Sequence, residues 1–319
     1  MPIVPRSKVD PTRSAKQVTA MYRDIEERYL GIKRALKVLF DQRLTGLERE
    51  VNSHNWHFLC HDNGADMRLY QVNAGKFIYD MSAQELADLL DAVQAILDDH
   101  LLEGGEQNLW AMDYVVAEAQ RGTLEAFNNL SQQSQVYASQ TTLQQLLSSP
   151  GYLNQISAAR LTTFSDWKVI SDTARGDLTN IITDAVARGV SPRDTAQVIS
   201  KRLDVSMYKA KTIAQTEQVG ALRQAQRNEV DWAKERLGLN TAILWISALK
   251  PTTRMTHGAR HGKTYTTDEV AEFYSKNGNA FNCYCANVPC LLDDQGKLYN
   301  DGLTEKLTKE RENWKSTED

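Results

Sequence analysis

Two histidines and two cysteines form the most specific chemical pattern in this sequence of 319 residues. His257 and His261 are separated by three residues, and Cys283 and Cys285, separated by one, follow further along the chain. Two imidazoles and two thiolates can bind tetrahedral Zn²⁺, but zinc modules usually place about two to four residues between paired cysteines. Three interpretations therefore stay open: a structural zinc site, in which Cys290 could substitute for one cysteine, buried thiols beside hydrogen-bonded histidines, or a disulfide formed outside the cytoplasm.

A second group of such residues lies earlier in the chain, at His54, His57, Cys60 and His61. On a strand, His57 and His61 would point to one face, and His54 and Cys60 to the other. Four convergent metal ligands are not expected from this spacing, so we interpret the group as structural.

Motifs typical of enzymes are missing. The sequence contains no His-Glu-x-x-His, no nucleophile elbow and no dinucleotide-binding fingerprint. The segment 258–264 has three residues between its glycines, where a phosphate-binding loop needs four. We therefore expect no catalytic residues and no cofactor, and keep zinc at His257, His261, Cys283 and Cys285 only as an open alternative.

Composition indicates a foldable soluble protein, with 41% apolar and 24% charged residues and a net charge of −4. No apolar run is long enough for a membrane span, and the first residues do not resemble a signal peptide. We expect synthesis in a cytoplasm. Residues 6–43 carry 10 basic and 5 acidic side chains, and residues 201–263 carry 12 and 5. These basic segments suit DNA or an acidic protein surface, or are ordinary solvated helix faces.

The first half of the chain predicts helices around a small sheet. Apolar residues at three- and four-residue steps predict one long helix over 12–50 that needs a partner. Aromatic-rich runs within 56–80, separated by turn sequences, predict an antiparallel β meander. A capping box from Ser82 to Glu85 starts a helix that stops at Gly104-Gly105, and another helix covers about 107–130. The polar stretch 131–142 is a candidate boundary or hinge.

The second half predicts further helices and a mixed module. One helix ends at Gly189, a second begins at Ser191-Pro192 and ends near Leu203, and a third covers about 206–237. A strand is expected at 241–246 and a helix at about 267–274, with a polar helix or mobile end after 304. The predicted fold is mainly α with a small N-terminal β meander and an α+β C-terminal module. The predicted segments are 1–50, 51–142, 143–292 and a polar tail, 293–319.

Glu217 lies on the apolar seam of the third of these helices. A carboxylate that faces a packed surface is costly unless it is paired, and Arg254 is the best downstream partner. The alternative is a Glu at the edge of the seam that reaches water.

The stretch from about 150 to 290 resembles the Mu F-like head-morphogenesis family of tailed phages. The order and spacing of several short motifs carry the resemblance: Gly189-Val190-Ser191, Ile213-Ala214-Gln215-Thr216-Glu217, Trp245-Ile246-Ser247, Thr253-Arg254 with His257 and His261-Gly262, and Asn282-Cys283-Tyr284-Cys285. The chain departs from the family pattern at Lys250, Thr252, Phe281 and Tyr284, where the family usually has other residues.

The resemblance implies a non-enzymatic minor head protein, inside the virion head at the portal vertex and in the host cytoplasm during assembly. It would bind the portal protein and other head proteins and assist head assembly and genome packaging or ejection. It would also touch the phosphate backbone of packaged DNA, and no membrane is expected in the mature head. In this interpretation the motif residues hold the C-terminal module together: Glu217, Arg254, His257, His261, Asn282, Cys283 and Cys285. The alternative is a zinc-dependent nuclease or toxin-type enzyme built on the same module.

Overall fold

The computed structural model describes residues 1–48, 57–60, 68–71 and 77–315. Its helices are α1 (Ala15–Arg43), α2 (Ala83–Leu101), α3 (Gly105–Asn108), α4 (Met112–Gln133), α5 (Gln135–Gln140), α6 (Leu143–Leu147), α7 (Pro150–Arg188), α8 (Pro192–Leu237), α9 (Met255–Gly258), α10 (Thr267–Ser275) and α11 (Asp301–Lys315). The strands are β1 (Gly46–Glu48), β2 (His57–Cys60), β3 (Arg68–Gln71), β4 (Phe77–Tyr79), β5 (Thr241–Ile246), β6 (Thr264–Tyr265) and β7 (Ala286–Leu291). The predicted mainly helical fold with small antiparallel sheets is confirmed. Among the described helices, none is long and apolar enough to cross a bilayer.

The chain divides into two compact units that interleave along the sequence. Unit 1 comprises Met1–Asp24, Gly104–Ser165 and Lys211–Asp319, and unit 2 comprises Ile25–Glu103 and Asp166–Ala210. The four consecutive segments offered by the sequence stay a prediction. The stretch 131–142, the candidate boundary or hinge, is helical over most of its length and lies within unit 1, where Tyr137 is fully buried.

Unit 2 explains the narrow apolar stripe of α1. Ile25, Tyr29, Ile32 and Leu36 are almost completely buried. The Tyr29 hydroxyl lies 2.8 Å from the Ser206 hydroxyl of α8, so the predicted need for a partner helix is met within this unit. α1 ends before the predicted boundary, because the chain turns into β1 after Arg43.

The predicted β meander is only partly correct. β2 and β3 pair in antiparallel fashion, as expected, but β4 pairs with β1, a strand that the sequence assigned to the long helix. Gly46 makes this second pairing possible, since a Cβ there would lie 2.1 Å from the carbonyl oxygen of Ile78. His54 and His61 lie outside the described residues, and nothing in the structure tests the interpretation of their cluster.

α8 is one continuous helix of 46 residues, where the sequence suggested two. Ser206 alone does not interrupt it, because the helix interior contains no proline and no glycine before Gly220. At its start, Ser191 accepts a hydrogen bond from the backbone N–H of Asp194, and Gly189 takes the left-handed conformation that ends α7. Both predicted helix boundaries are confirmed.

A three-stranded antiparallel sheet, in the order β6-β5-β7, is the centre of the C-terminal part of unit 1. All six residues of β5 are buried, because helices cover both faces of the sheet. Ile243 and Trp245 pack in a cluster with Val230 of α8 and Val270 of α10. Leu244 and Ile246 pack on the other face, in a cluster that contains Leu307 of α11.

The predicted polar tail is thus a helix that belongs to the module. Besides Leu307, Trp314 of α11 is buried, and its indole N–H donates to the carbonyl oxygen of Lys250 at 3.2 Å. Gly258 provides the space for this ring, since a Cβ there would lie 2.1 Å from it.

Within unit 1, α4 and α8 cross at Gly122, and this crossing predicts opposite effects for two glycine substitutions. A Cβ at Gly122 would lie 2.4 Å from the carbonyl oxygen of Leu222, whereas a Cβ at Gly220 would meet no atom within 4 Å. We expect Gly122→Ala to destabilise the protein by about 1–3 kcal/mol through overpacking. Gly220→Ala should stabilise it by about 0.5–1 kcal/mol through helix propensity.

Chemical denaturation of the two variants and the wild type measures this difference. Equal effects of the two substitutions on the unfolding midpoint would contradict the close approach of α4 and α8.

Candidate functional site

Three of the four sequence-predicted zinc candidates meet in the interior of the C-terminal module. His257 lies on α9, and Cys283 and Cys285 lie in the extended segment that leads into β7. The Nδ1 atom of His257 is 3.3 Å from Cys283 Sγ and 3.6 Å from Cys285 Sγ. The exposed fractions are 2%, 5% and 4%, respectively, so the cluster is shielded from bulk water.

The turn before Cys283 explains how two cysteines with one residue between them reach the same histidine. Asn282 has a φ of 52°, a left-handed conformation that asparagine adopts more readily than most residues. In the extended segment that follows, residues two apart point to the same side. Cys283 and Cys285 therefore face the interior together, and Tyr284 between them does not.

Arg223 of α8 binds this segment from the helix side. Its side chain is buried, and its Nη2 atom lies 2.9 Å from the carbonyl oxygen of Cys283 and 2.8 Å from that of Cys285. Its Nε atom donates to the same Cys285 oxygen at 3.1 Å, and Nη2 lies 3.2 Å from Cys283 Sγ. The Tyr274 ring covers the guanidinium group, with its centroid 4.3 Å from Cζ. One cation thus satisfies two backbone carbonyls and one sulfur.

The surroundings make the two thiols unequal. A hydrogen bond from Cys285 lowers the pKa of Cys283 well below its usual range, and the charge of Arg223 acts in the same direction, although burial opposes both. The pKa of Cys285 is raised well above its usual range because it donates to Cys283 and because it is buried.

Asn279 fixes the orientation of the His257 ring. Its amide nitrogen donates to the carbonyl oxygen of Phe273 at 2.9 Å, which leaves its Oδ1 atom facing His257 Nε2 at 3.4 Å. Nε2 then carries the proton, and the lone pair of Nδ1 points to the two sulfur atoms. The rings of Phe273 and Trp245 pack edge-on against the imidazole, with centroids 5.0 and 6.1 Å away.

His261 and Cys290 lie apart from this cluster. The Nδ1 atom of His261 accepts from the backbone N–H of Ser247 at 3.0 Å, and its Nε2 atom faces Glu310 of α11 at 3.3 Å. Cys290 lies within β7, where its thiol donates to the carbonyl oxygen of Ala242. The four-ligand set of the sequence interpretation therefore loses His261, because both of its nitrogens have other partners.

The predicted ion pair between Glu217 and Arg254 is replaced by other contacts of the arginine. Arg254 is exposed and donates to the carbonyl oxygens of Gly278 and Phe281 in the loop before the cysteines. Glu217 is half-buried and lines a different cavity, of about 550 Å³, together with residues of α4 and α7. The Arg254 guanidinium group therefore binds loop carbonyls and not the Glu217 carboxylate.

Sequence reasoning missed Arg223, which binds the backbone of the cysteine segment. Arg223 lies four residues after Val219 and three before Gln226, and both of these α8 residues are buried. A basic residue on a buried helix face requires acceptors inside the protein. The sequence interpretation paired Arg254 with the Glu217 carboxylate, whereas the acceptors of Arg223 are backbone carbonyls.

Comparison with protein families identifies this module. The family model described as Phage Mu protein F like protein matches residues 177–288. This range contains Arg223, His257, Cys283 and Cys285, and the match confirms the resemblance and indicates a phage head-related protein. No curated protein and no solved structure matches the chain.

Replacement of Arg223 tests its part in the module. Arg223→Met leaves two buried carbonyl oxygens and the sulfur of Cys283 without their donor, so we expect a loss of about 3–5 kcal/mol in the free energy of unfolding. Arg254→Met is the matched control: Arg254 binds two carbonyls of the same loop but is exposed, and its loss should cost about 1 kcal/mol. Urea denaturation followed by tryptophan fluorescence measures both, and equal losses would contradict the assignment.

His261 predicts a loss of stability in weak acid. Burial lowers the pKa of His261 below its usual 6.5, and the charge of Arg311 acts in the same direction, although Glu310 opposes both. Below pH 6.5 the unfolded chain therefore binds a proton at His261 more readily than the folded chain does. The contribution of neutral His261 to the free energy of unfolding is complete above pH 6.5 and declines as the pH falls below it. The physical reason is that a protonated Nδ1 cannot accept from the backbone N–H of Ser247.

Unfolding midpoints from pH 7.5 to 5 for the wild type and His261→Gln isolate this group from the other histidines. The wild type should lose more stability over the range than the variant, and parallel curves would refute the linkage.

Proposed function

We propose that this chain, a phage head-related protein by its match over residues 177–288, is a minor head protein of a tailed phage. It binds the portal vertex inside the head and assists head assembly and genome packaging or ejection. The single observation that carries the proposal is the family match. Portal protein and other head proteins are the proposed partners, and packaged DNA is a further one through phosphate contacts.

The helices supply long surfaces of the kind that an assembly protein presents. α7 and α8 have 39 and 46 residues, so α8 alone extends over roughly 70 Å. Large apolar side chains are exposed along them, among them Leu161 and Val169 of α7 and Val198, Val205 and Tyr208 of α8. Such side chains mark a contact site for another protein where they form a contiguous patch.

The excess of basic residues near the N-terminus supports DNA contact less than the sequence count suggested. Lys8, Arg13 and Lys33 form ion pairs with Glu310, Glu125 and Asp204, respectively. Arg34 and Lys37 of α1 are exposed and stay the best candidates for phosphate contacts. Such contacts would be weakened by salt and would not distinguish base sequences.

The burial of the histidine–cysteine cluster supports a structural protein over the nuclease or toxin-type enzyme. An enzyme of that kind needs a metal position that substrate and solvent reach, with an acid or base beside it. His257, Cys283 and Cys285 are buried. Glu217 lines a different cavity, and His261 binds the backbone of Ser247. We therefore propose a non-enzymatic role.

The composition of phage particles tests the proposal. Procapsids and DNA-filled heads of the phage that encodes this chain are purified and analysed by quantitative mass spectrometry, with the portal protein as internal standard. We expect the chain in both particles, at a copy number far below that of the major capsid protein and related to that of the portal.

Co-expression with the portal protein of the same phage, followed by size-exclusion chromatography, tests the contact itself, with the portal of an unrelated phage as control. Absence from both particle types would overturn the proposal, whereas presence only in procapsids would indicate an assembly factor that leaves the head.

A further inference from the structure

The cluster of His257, Cys283 and Cys285 has the geometry of a metal site. Its three ligand atoms lie within 4.8 Å of one another, and all three residues are buried. We propose that these three residues bind one Zn²⁺ ion, which holds the C-terminal module together and takes no part in catalysis.

The distances between the donor atoms fit zinc without rearrangement of the backbone. With Zn–S bonds of about 2.3 Å and a Zn–N bond of about 2.0 Å, tetrahedral geometry separates nitrogen from sulfur by about 3.5 Å. The observed Nδ1–Sγ distances are 3.3 and 3.6 Å. Small side-chain rotations are enough to bring the three atoms to bonding distance of one ion.

The imidazole of His257 is oriented as a metal ligand requires. A ligating histidine usually donates its second ring N–H to a carbonyl or carboxylate oxygen, which fixes the tautomer and the ring plane. Asn279 Oδ1 accepts a hydrogen bond from the Nε2–H group of His257. The Asn279 side chain is itself fixed, because its amide nitrogen donates to the carbonyl oxygen of Phe273. The ligand and its supporting residue are therefore both in place, with Nδ1 turned to the sulfurs.

Arg223 is compatible with a metal ion although it carries a positive charge. A metal-bound thiolate still accepts N–H bonds, and donors of this kind stabilise its charge. One Zn²⁺, two thiolates and a neutral imidazole form a complex without net charge, and any thiol proton of the two cysteines is released to water when the ion binds. The guanidinium group keeps the carbonyl oxygens of Cys283 and Cys285 and the Tyr274 ring as its own partners.

An oxygen donor fits the fourth coordination position. Ser247, at the end of β5, has its hydroxyl 3.5 Å from Cys285 Sγ. Structural zinc sites have four ligands, so the Ser247 hydroxyl would have to take the fourth position for the site to be closed. The three ligands and Ser247 come from α9, the segment before β7 and the residue after β5, all within unit 1.

Metal analysis of the full-length chain tests the site directly. The protein is purified under reducing conditions, stripped with a chelator, incubated with excess Zn²⁺ and freed of unbound metal. Inductively coupled plasma mass spectrometry should then find about one zinc per chain, and the zinc-loaded protein should melt at a higher temperature than the stripped protein. Cobalt substitution should give thiolate-to-cobalt charge-transfer absorption.

The chain offers matched controls for each type of ligand. Cys283→Ser, Cys285→Ser and His257→Asn should each lose most of the bound metal. Cys290→Ser and His261→Asn remove a thiol and an imidazole of the same module that lie outside the cluster, and these variants should keep it.

The proposal is overturned if the folded wild type, after incubation with Zn²⁺, holds far less than one equivalent, or if the control variants lose as much zinc as the ligand variants. The wild-type measurement alone decides the matter if a ligand variant fails to fold. Neither result depends on whether the chain is found in phage heads, so this test and that of the proposed function fail independently.

Discussion

The C-terminal module depends on one buried cation, the guanidinium group of Arg223. Burial of such a group is favourable only when its donors are occupied, and here carbonyl oxygens, a sulfur and an aromatic ring surround it. Because both carbonyls belong to the segment before β7, Arg223 determines where that strand begins beside β5. The same contact turns Cys283 and Cys285 to His257, so the side-chain cluster follows from the anchoring of the backbone.

The elements that Arg223 connects lie largely within the range matched by the family model. Residues 177–288 contain all of α8, β5 and β6 and the first half of β7, so the matched range covers the elements that Arg223 and the cluster connect. A module held together from inside by polar contacts leaves its helix surfaces available for other head proteins. A zinc ion at the cluster would add a second internal connection, which small sheets with short strands need more than large ones do.

Periodicity and capping predicted most of the helices and the strand at β5, because these signals are local. These signals failed where strand pairing or helix continuity depends on residues far apart in the sequence. β4 pairs with β1 and not with β3, and α8 continues through the position at which two helices were expected. For the site, the sequence identified His257, Cys283 and Cys285 but included His261, which Ser247 and Glu310 engage elsewhere. Arg223 escaped notice because its acceptors are backbone carbonyls about sixty residues away, which carry no signature in the sequence.

Residue-resolved alkylation of the cysteines is the most direct measurement of the central claim, the anchoring of the cysteine segment by Arg223. Metal-free wild type and Arg223→Met are treated with a thiol reagent under native conditions, and peptides with Cys283, Cys285 and Cys290 are quantified over time. In the wild type, all three should react slowly and at similar rates, since all three are buried. In the variant, Cys283 and Cys285 should react much faster while Cys290 in β7 stays protected. Rapid labelling of Cys283 and Cys285 in the wild type, or equal acceleration of all three in the variant, would contradict the account.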